Sequence, residues 1–397
     1  MNKFEISRRR SIEALAGFLA GSPLLSGQID PIRDHARVPG IKELLTAFEF
    51  EAVMYAKQTR AVYNYRAYGE EGEFTLRRNR LAFDWVKLAE NKAGTSNTGS
   101  ATVDTSTEIF GTKMAFPILV SPTALHGDLD KDGEQSTHKG AAAASNTPMI
   151  LSNNSSLSFD KVMPAAPSPM WVQLYPKQAM DANKAYLEPA IAQGAKAVVV
   201  TVDQLATVYE RSQHDRNLNA TGGGRGRFGG GGPVPAGNPY RISVGRLWYE
   251  WKFFEELRTF VKVPIVIKGI LTAEDAKLAL EHGVDGIYVS NHGGRSLDYG
   301  PSTLEVLPEI VDAVGGKVPV LFDSGLRRGA DVLKALALGA NAVCLGRVPL
   351  WGLGSYGVTG VTRVLEIMQA EFVQAMLQTG CTRLSAINRK IVLANFP

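Results

Sequence analysis

The segment IVIKGILTAEDAKLALEHGVDGIYV, residues 265–289, decides the fold of this chain. It begins with an apolar run at 265–267, continues with helical spacing at 273–281, and ends with a second apolar run at 286–289. In both runs apolar residues occupy consecutive positions, which is typical of strands buried on both faces of a parallel sheet. The segment therefore predicts one strand–helix–strand unit of an α/β protein.

Short apolar runs of the same kind occur on either side of this segment. In chain order the eight runs are 116–120, 149–151, 170–174, 197–202, 265–267, 286–289, 318–322 and 342–345. Helical segments follow nearly all of them, for instance at 330–338 and 360–378. Eight consecutive strand–helix units predict a (β/α)8 barrel, also called a TIM barrel.

An extension and an insertion interrupt this repeat. Residues 41–110 precede the first strand, and their apolar spacing predicts an N-terminal helical extension, with one helical stretch at 49–68. Residues 203–263, after the fourth strand, contain a glycine-rich tract at 222–237 and predict a long loop or lid insertion. The tract matches a dinucleotide-binding string, but no strand precedes it, so we interpret the match as chance. The barrel domain as a whole is predicted over 41–393.

Residues 1–40 are predicted to form a leader and linker. The sequence SRRRS at 7–11 precedes a mildly apolar stretch at 12–25, an order that resembles a twin-arginine export signal. An exposed basic start of a helix is the alternative interpretation. An export signal would place the protein in the periplasm, and its absence would place it in a bacterial-type cytoplasm.

The composition excludes several classes of protein. The 397 residues include two cysteines and six histidines without an HExxH pair, so we expect neither a disulfide framework nor a metal site. The net charge is only +4 and is spread along the chain, which argues against a nucleic-acid partner. No apolar run reaches the ~18 residues of a membrane-spanning helix.

Polar residues or glycines follow every predicted strand. They occupy positions 121–124, 152–154, 173–175, 201–203, 268–269, 290–295, 323–327 and 346–347. The carboxyl ends of barrel strands meet at one face, where (β/α)8 enzymes carry their active sites. These residues are therefore predicted to form one site.

The last two of these clusters predict a phosphate site. DSGLR at 323–327 and GR at 346–347 offer backbone N–H groups and guanidinium groups where barrels bind phosphate. This indicates a phosphorylated substrate or a cofactor such as FMN. Neutral side chains suited to the edge of a flat heterocycle are Thr123, Ser152, Gln173 and Thr201. Lys268 could stabilise the negative charge of a reduced flavin.

The cluster at 290–295 carries the predicted reactive step. Imidazole is the side chain best suited to take a proton at neutral pH, so His292 is the candidate base. Asp203, after the fourth strand, is its candidate partner, which would orient the ring and stabilise its cation. Arg295, with Arg211 from the long loop, could clamp a carboxylate, so we expect a small anionic acid as substrate. His126 could also touch substrate, although we expect it to be exposed.

The stretch Ser290-Asn-His-Gly-Gly-Arg-Ser-Leu-Asp298 resembles the signature of the FMN-dependent α-hydroxy-acid dehydrogenase family. This family includes glycolate oxidase, lactate oxidase, mandelate dehydrogenase and flavocytochrome b2. The resemblance covers roughly residues 41–393. Further matching motifs are VYNY at 62–65, PTA at 122–124, QLY at 173–175, TVD at 201–203, IKGILTAED at 267–275 and DSGLRR at 323–328.

The resemblance implies an FMN cofactor, a homotetramer and specific residue roles. His292 is implied to be the base, and Lys268 is implied to lie at flavin N1. The implied substrate-binding residues are Tyr65, Tyr175, Arg211, His292 and Arg295. The implied cofactor-binding residues are Pro122, Thr123, Ala124, Ser152, Gln173, Thr201, Lys268, Ser290, Asp323, Ser324, Gly325, Arg327, Gly346 and Arg347.

Three positions depart from the family pattern. Arg66 stands where a second tyrosine is frequent, and Asn154 stands where tryptophan is frequent. Both departures bear on the size and polarity of the substrate. Ser324 replaces a usual glycine and is expected to affect only phosphate packing.

The resemblance and the residues together predict FMN-dependent oxidation of an (S)-2-hydroxy acid to the 2-oxo acid. His292 would remove the hydroxyl proton while the Cα hydrogen passes to the flavin as hydride, or the base would first take the Cα proton. The reduced flavin would be reoxidised by O2, giving H2O2, or by a quinone or cytochrome. The alternatives are oxidative decarboxylation of the type performed by lactate 2-monooxygenase, an FMN-barrel isomerase, and a flavin-binding protein without turnover.

Overall fold

The computed structural model describes residues 37–90, 103–204 and 249–397. Several sequence predictions therefore lie outside the described residues. They are the twin-arginine motif at 7–11, Arg211, and the glycine-rich tract at 222–237.

The N-terminal part of the described chain is helical up to residue 85. Its elements are α1 (Ala47–Lys57), α2 (Arg60–Ala67), α3 (Phe74–Leu81) and a 3-10 turn (Ala82–Trp85). The prediction of one continuous helix over 49–68 is wrong, because Gln58 is extended and Thr59 caps a new helix. The Thr59 side-chain oxygen accepts the N–H of Val62, which satisfies a donor that the first turn leaves free.

The rest of the region predicted as a helical extension contains strands. They are β1 (Val86–Leu88) and β2 (Thr107–Ile109), and β2 pairs as a hairpin with β3 (Thr112–Met114), which follows this region. Phe110 and Gly111 both have positive φ, as a two-residue hairpin turn requires. Ile109 and Met114 pack into the bottom of the barrel, where the Trp171 indole donates to Thr112 Oγ1 at 3.0 Å. The hairpin therefore closes the amino-terminal end of the barrel.

Eight parallel strands form a closed barrel, which confirms the predicted fold class. Each strand pairs with the next one in the chain, and the last pairs with the first. The strands are β4 (Ile118–Val120), β5 (Met149–Leu151), β6 (Met170–Leu174), β7 (Val198–Thr201), β8 (Ile265–Ile270), β9 (Gly286–Val289), β10 (Val320–Phe322) and β11 (Ala342–Leu345). All eight overlap the predicted runs, although β8 continues through Lys268 and Gly269, which are predicted to follow the strand.

The two faces of each strand pack into different cores, which explains the consecutive apolar residues. Inward side chains from every strand fill the barrel interior: Leu119, Ile150, Trp171, Val199, Val266, Tyr288, Leu321 and Cys344. Outward side chains such as Val120, Val200 and Ile267 pack against the surrounding helices. The barrel is therefore a filled core rather than a pore, and ligands can enter only at its ends.

Helices follow the strands and surround the barrel. They are α4 (Gly133–Ala143), α5 (Phe159–Val162), α6 (Met180–Ala192), α7 (Lys252–Arg258), α8 (Ala273–Glu281), α9 (Thr303–Val314), α10 (Gly329–Ala337) and α11 (Arg347–Gln378). Helix α11 is broken at Tyr356 and Gly357. The chain ends with β12 (Val392–Ala394), which pairs antiparallel with β1. Within the described ranges, we find no helix with the length and apolar character needed to cross a membrane.

Candidate active site

A cavity of about 950 Å3, including its open mouth, lies at the carboxyl ends of the barrel strands. The predicted site residues in its wall are Tyr65, Pro122, Thr123, Ala124, Ser152, Tyr175, Lys268, His292, Arg295, Asp323, Ser324, Gly325, Arg327, Gly346 and Arg347. The fold thus brings residues from seven strand ends and the N-terminal extension to one place.

Four predicted residues lie next to the cavity without lining it. Asp203, Gln173, Thr201 and Ser290 are not part of the wall, although the last three are almost completely buried. Gln173 Nε2 donates to Thr201 Oγ1 at 3.0 Å, and Gln173 Oε1 accepts from the backbone of Asn153 at 2.9 Å. The cofactor contacts of Gln173, Thr201 and Ser290 remain predictions.

His292 sits in a chain of polar side chains at the cavity wall. Its Nδ1 lies 2.8 Å from Asp203 Oδ1, and its Nε2 lies 3.5 Å from the Tyr175 hydroxyl. Lys268 Nζ lies 3.6 Å from the other Asp203 oxygen. Because Asp203 accepts at Nδ1, that nitrogen carries a proton, which leaves Nε2 as the proton acceptor on the side of Tyr175.

The buried carboxylate of Asp203 is held ionised by its neighbours. Burial raises its pKa, but the interactions of Asp203 with His292 and Lys268 outweigh burial, and the net pKa is lowered. Asp203 Oδ2 has no hydrogen-bond partner in the described structure, so its interaction with Lys268 is a Coulomb attraction rather than a hydrogen bond. The negative charge is therefore available to stabilise a protonated imidazole.

The backbone at His292 has an uncommon conformation. His292, Gly293 and Gly294 follow β9 with φ values of 58°, 70° and 76°, so three consecutive residues are left-handed. For histidine this costs of the order of 1–3 kcal/mol. A side chain at Gly293 would place Cβ 2.6 Å from an Arg347 nitrogen, so the motif needs glycine there. The turn aims the imidazole at the cavity.

Arg295 and Tyr65 form a second group in the wall. The Arg295 guanidinium lies 4.8 Å from the centre of the Tyr65 ring, and it donates to the backbone carbonyls of Tyr65 and Tyr68. Arg66 lies on the same ring at 5.0 Å and pairs with Asp128 at 3.3 Å. The substitution at position 66 thus adds a buried cation to the cavity wall.

Arg327 and Arg347 also line the wall, and Arg347 shares the backbone carbonyl of Tyr68 with Arg295. Burial lowers the pKa of both, and for Arg347 the charges of Arg295 and Arg327 lower it further. Arg347 donates to the carbonyls of Arg66, Gly293 and Tyr68 at 2.7–3.2 Å. The two guanidinium groups suit a phosphate, because arginine binds phosphate through charge-assisted hydrogen bonds. Together with the neutral polar wall around Lys268, these residues fit FMN.

Ser324 has a structural role that the sequence analysis did not foresee. Its Oγ accepts the N–H of Gly293 at 3.1 Å and donates to Asp323 Oδ1 at 2.8 Å. Tyr288, inside the barrel, donates to Asp323 Oδ2 at 2.9 Å, and Ser121 lies 2.8 Å from the Tyr288 hydroxyl. Ser324 therefore connects the loop at 323–327, which is predicted to bind phosphate and is called the phosphate loop below, with the turn that carries His292.

Sequence reasoning missed several wall residues and misplaced His126. The additional wall residues are Gln204, Cys344, Leu345 and Leu350, whereas Ser121 and Leu326 lie within the clusters predicted at 121–124 and 323–327. Gln204 and Leu345 are neighbours of predicted residues at strand ends, so clusters longer by one residue would have included them. His126 is wholly buried between Thr123 and Thr137, each 2.8 Å away, so the expectation of exposure is wrong.

Comparisons with known proteins agree with the resemblance found in the sequence. The family model described as FMN-dependent dehydrogenase matches residues 55–394. The peroxisomal (S)-2-hydroxyacid oxidase GLO3 of Arabidopsis thaliana is 36% identical over 356 residues, covering 88% of this chain and 96% of the relative.

Two solved structures resemble the fold at similar identity. A lactate oxidase from Pediococcus acidilactici has a TM-score of 0.79 at 31% identity, covering 89% of this chain and 96% of that one. A flavocytochrome b2 double mutant with pyruvate bound has a TM-score of 0.80 at 30% identity, covering 90% and 88% of the two chains. Because the family model matches residues 55–394, most of this chain, the chain belongs to the FMN-dependent dehydrogenase family.

Proposed function

We propose that this protein oxidises a small (S)-2-hydroxy acid to the corresponding 2-oxo acid, using FMN. Bound FMN supplies the acceptor for the hydrogen and electron pair that leave Cα, and it is reoxidised by O2, giving H2O2, or by a quinone or cytochrome. The relatives named 2-hydroxyacid oxidase and lactate oxidase support this proposal. So does the pyruvate bound to flavocytochrome b2, since pyruvate is a 2-oxo acid.

The arginine and tyrosine side chains account for binding of the acid. Arg295 and Tyr65 offer a guanidinium group and a phenol at the cavity wall, a pair suited to a carboxylate. Tyr175 is placed beside His292 Nε2, where a substrate hydroxyl would also need to lie. Arg211 is proposed as a second carboxylate clamp on the basis of the family resemblance.

The histidine–aspartate pair accounts for removal of the proton. His292 Nε2 takes the hydroxyl proton, which lets the Cα–O bond become a carbonyl. The resulting imidazolium is stabilised by Asp203 through the 2.8 Å contact at Nδ1. This chain from Tyr175 through His292 to Asp203, opening into a cavity with an anion-binding end, is the single observation that carries the proposal.

An anaerobic spectral titration tests the proposed function. Purified yellow protein is mixed without air with glycolate, L-lactate, L-mandelate and longer hydroxy acids, and oxygen is then admitted. We expect at least one (S)-acid to bleach the flavin, its (R)-enantiomer to leave it oxidised, and the 2-oxo acid to accumulate. If lactate yields acetate instead of pyruvate, the decarboxylating alternative is correct. If no acid bleaches the flavin, the proposal is wrong.

We also propose that the protein is a homo-oligomer, with a tetramer expected from the family resemblance, and that residues 1–40 are a leader and linker. Light scattering of the purified holoprotein measures its mass in solution. Sequencing the N-terminus of protein recovered from the periplasm and from the cytoplasm tests the export signal, since export predicts a shortened chain in the periplasm.

A further inference from the structure

A buried pair of amides joins the N-terminal extension to the turn that carries His292. Asn79 Nδ2 donates to Asn291 Oδ1 at 2.9 Å, and Asn291 Nδ2 donates to Asn79 Oδ1 at 2.7 Å. Both residues are almost fully buried, at 1% and 2% exposure. Each amide therefore binds the other in a place that water does not reach, and removing either one takes two hydrogen bonds from the buried amide that remains.

The amide of Asn291 also holds the left-handed turn together. Its Oδ1 accepts the N–H of Gly294 at 3.1 Å, and its Nδ2 donates to the carbonyl of Pro301 at 3.2 Å. These contacts span residues 292–294, the segment whose positive φ values aim the imidazole. Because left-handed histidine is unfavourable by itself, the conformation depends on such tertiary contacts.

We propose that Asn79 is a positioning residue for His292 and acts through Asn291. Asn79 does not line the cavity. Instead it fixes the orientation of the Asn291 amide, which in turn holds the turn that places the imidazole. The inference rests on the proposed role of His292 as the base.

Asn79 also makes a backbone contact that does not depend on its side chain. The backbone carbonyl of Asn79 packs against Gly325 of the phosphate loop, where an added Cβ would lie only 2.2 Å away. Replacing the Asn79 side chain keeps that backbone contact. Asn79→Ala should therefore disturb the turn at 292–294 while leaving the phosphate loop in place.

The closing experiment compares Asn79→Ala, Asn291→Ala and the double variant as FMN-loaded proteins. Arg77→Ala, at an exposed position of the same helix, is the matched control. Amide hydrogen exchange of the peptide that contains Gly294 reports the turn directly. Stopped-flow flavin reduction by a 2-hydroxy acid and reoxidation by oxygen report the two half-reactions separately.

We expect Asn79→Ala to speed exchange in the Gly294 peptide and to slow flavin reduction about 10-fold to 100-fold. FMN affinity and the rate of reoxidation should stay within about 3-fold, because the phosphate loop and the flavin environment are retained. Flavin reduction in the double variant should be no slower than in the slower single variant, since each single change already breaks the Asn79–Asn291 pair. Arg77→Ala should match the wild type.

Two results would overturn the inference. One is unchanged exchange and unchanged flavin reduction in Asn79→Ala. The other is multiplicative losses in the double variant, which would show that the two amides act independently. If the wild-type flavin is itself not reduced by any 2-hydroxy acid, the proposed function fails, whereas the exchange measurement still decides whether Asn79 holds the turn.

Discussion

Replacing Asp203 by asparagine tests how much its charge contributes to proton removal. The change keeps the size of the side chain and leaves an oxygen that can still accept from His292 Nδ1. It removes the negative charge that lies 2.8 Å from the imidazole and 3.6 Å from Lys268. The side chain of Asp203 is only 4% exposed, so water cannot replace the lost charge.

The expected size of the effect follows from these distances. A hydrogen bond to a charged group contributes about 1.5–3 kcal/mol, and a buried Lys268 without its counter-charge adds to the loss. At about 1.4 kcal/mol per tenfold change in rate, flavin reduction by substrate should slow about 10-fold to 150-fold. Because the charge stabilises the imidazolium that forms during the reaction, substrate affinity should change much less than the rate.

Stopped-flow reduction of the flavin under anaerobic conditions measures this rate. Asp312→Asn, at an exposed position of α9, is a matched control that should behave as the wild type. Equal FMN content in the two variants shows that the site is assembled. A reduction rate for Asp203→Asn within about 3-fold of the wild type, with full FMN content, would refute the proposed role of the charge.

Three further predictions concern the surroundings of the site. Arg327→Met should weaken FMN binding about 10-fold to 100-fold and leave riboflavin binding unchanged, since only FMN carries a phosphate. Fluorescence titration of the apoprotein measures both affinities. Equal losses of affinity for the two ligands would contradict the phosphate assignment. Gly325→Ala should weaken FMN binding more than 10-fold, because its φ is +83° and its Cβ would meet the Asn79 carbonyl; normal affinity would contradict this. Burial lowers the pKa of His126 to about 4; the charge of Glu134 opposes this shift and the charge of Arg66 adds to it. In the unfolded chain this histidine binds a proton below about pH 6.5, whereas in the folded protein it stays neutral down to about pH 4. Between these pH values, the free energy of unfolding of the wild type should fall by up to about 1.4 kcal/mol per pH unit more than that of His126→Gln. Urea denaturation at pH 7, 6 and 5 measures both free energies. An equal fall in the two proteins would contradict the burial of a neutral imidazole.

The barrel could be predicted from the sequence because its strands are buried on both faces. Eight short apolar runs, bounded by polar residues or glycines and alternating with helical segments, together indicate a barrel, and each run overlaps one of the eight strands. The hairpin at 107–114 could not be predicted in the same way. Its strands have three residues each, and only Ile109 and Met114 are apolar residues that pack into the barrel.

The composition of the site and its contact between His292 and Asp203 could be predicted, but most other contacts within it could not. Strand ends of a barrel converge, so listing the residues after each strand finds most of the cavity wall. The same convergence brings His292 and Asp203 together although they lie 89 positions apart. Asn79 lies in the charged sequence FTLRRNRL, which reads as a surface helix, and only the packing of α3 onto the turn at 292–294 buries it.

The most direct test of the account is the anaerobic reduction of FMN-loaded His292→Asn by the best 2-hydroxy acid. Asparagine tolerates the left-handed conformation that position 292 requires, so the turn and the cofactor site should survive. We predict FMN content and visible spectrum like those of the wild type, with flavin bleaching slowed about 10²-fold to 10⁴-fold. Bleaching at the wild-type rate would show that proton removal does not depend on this imidazole.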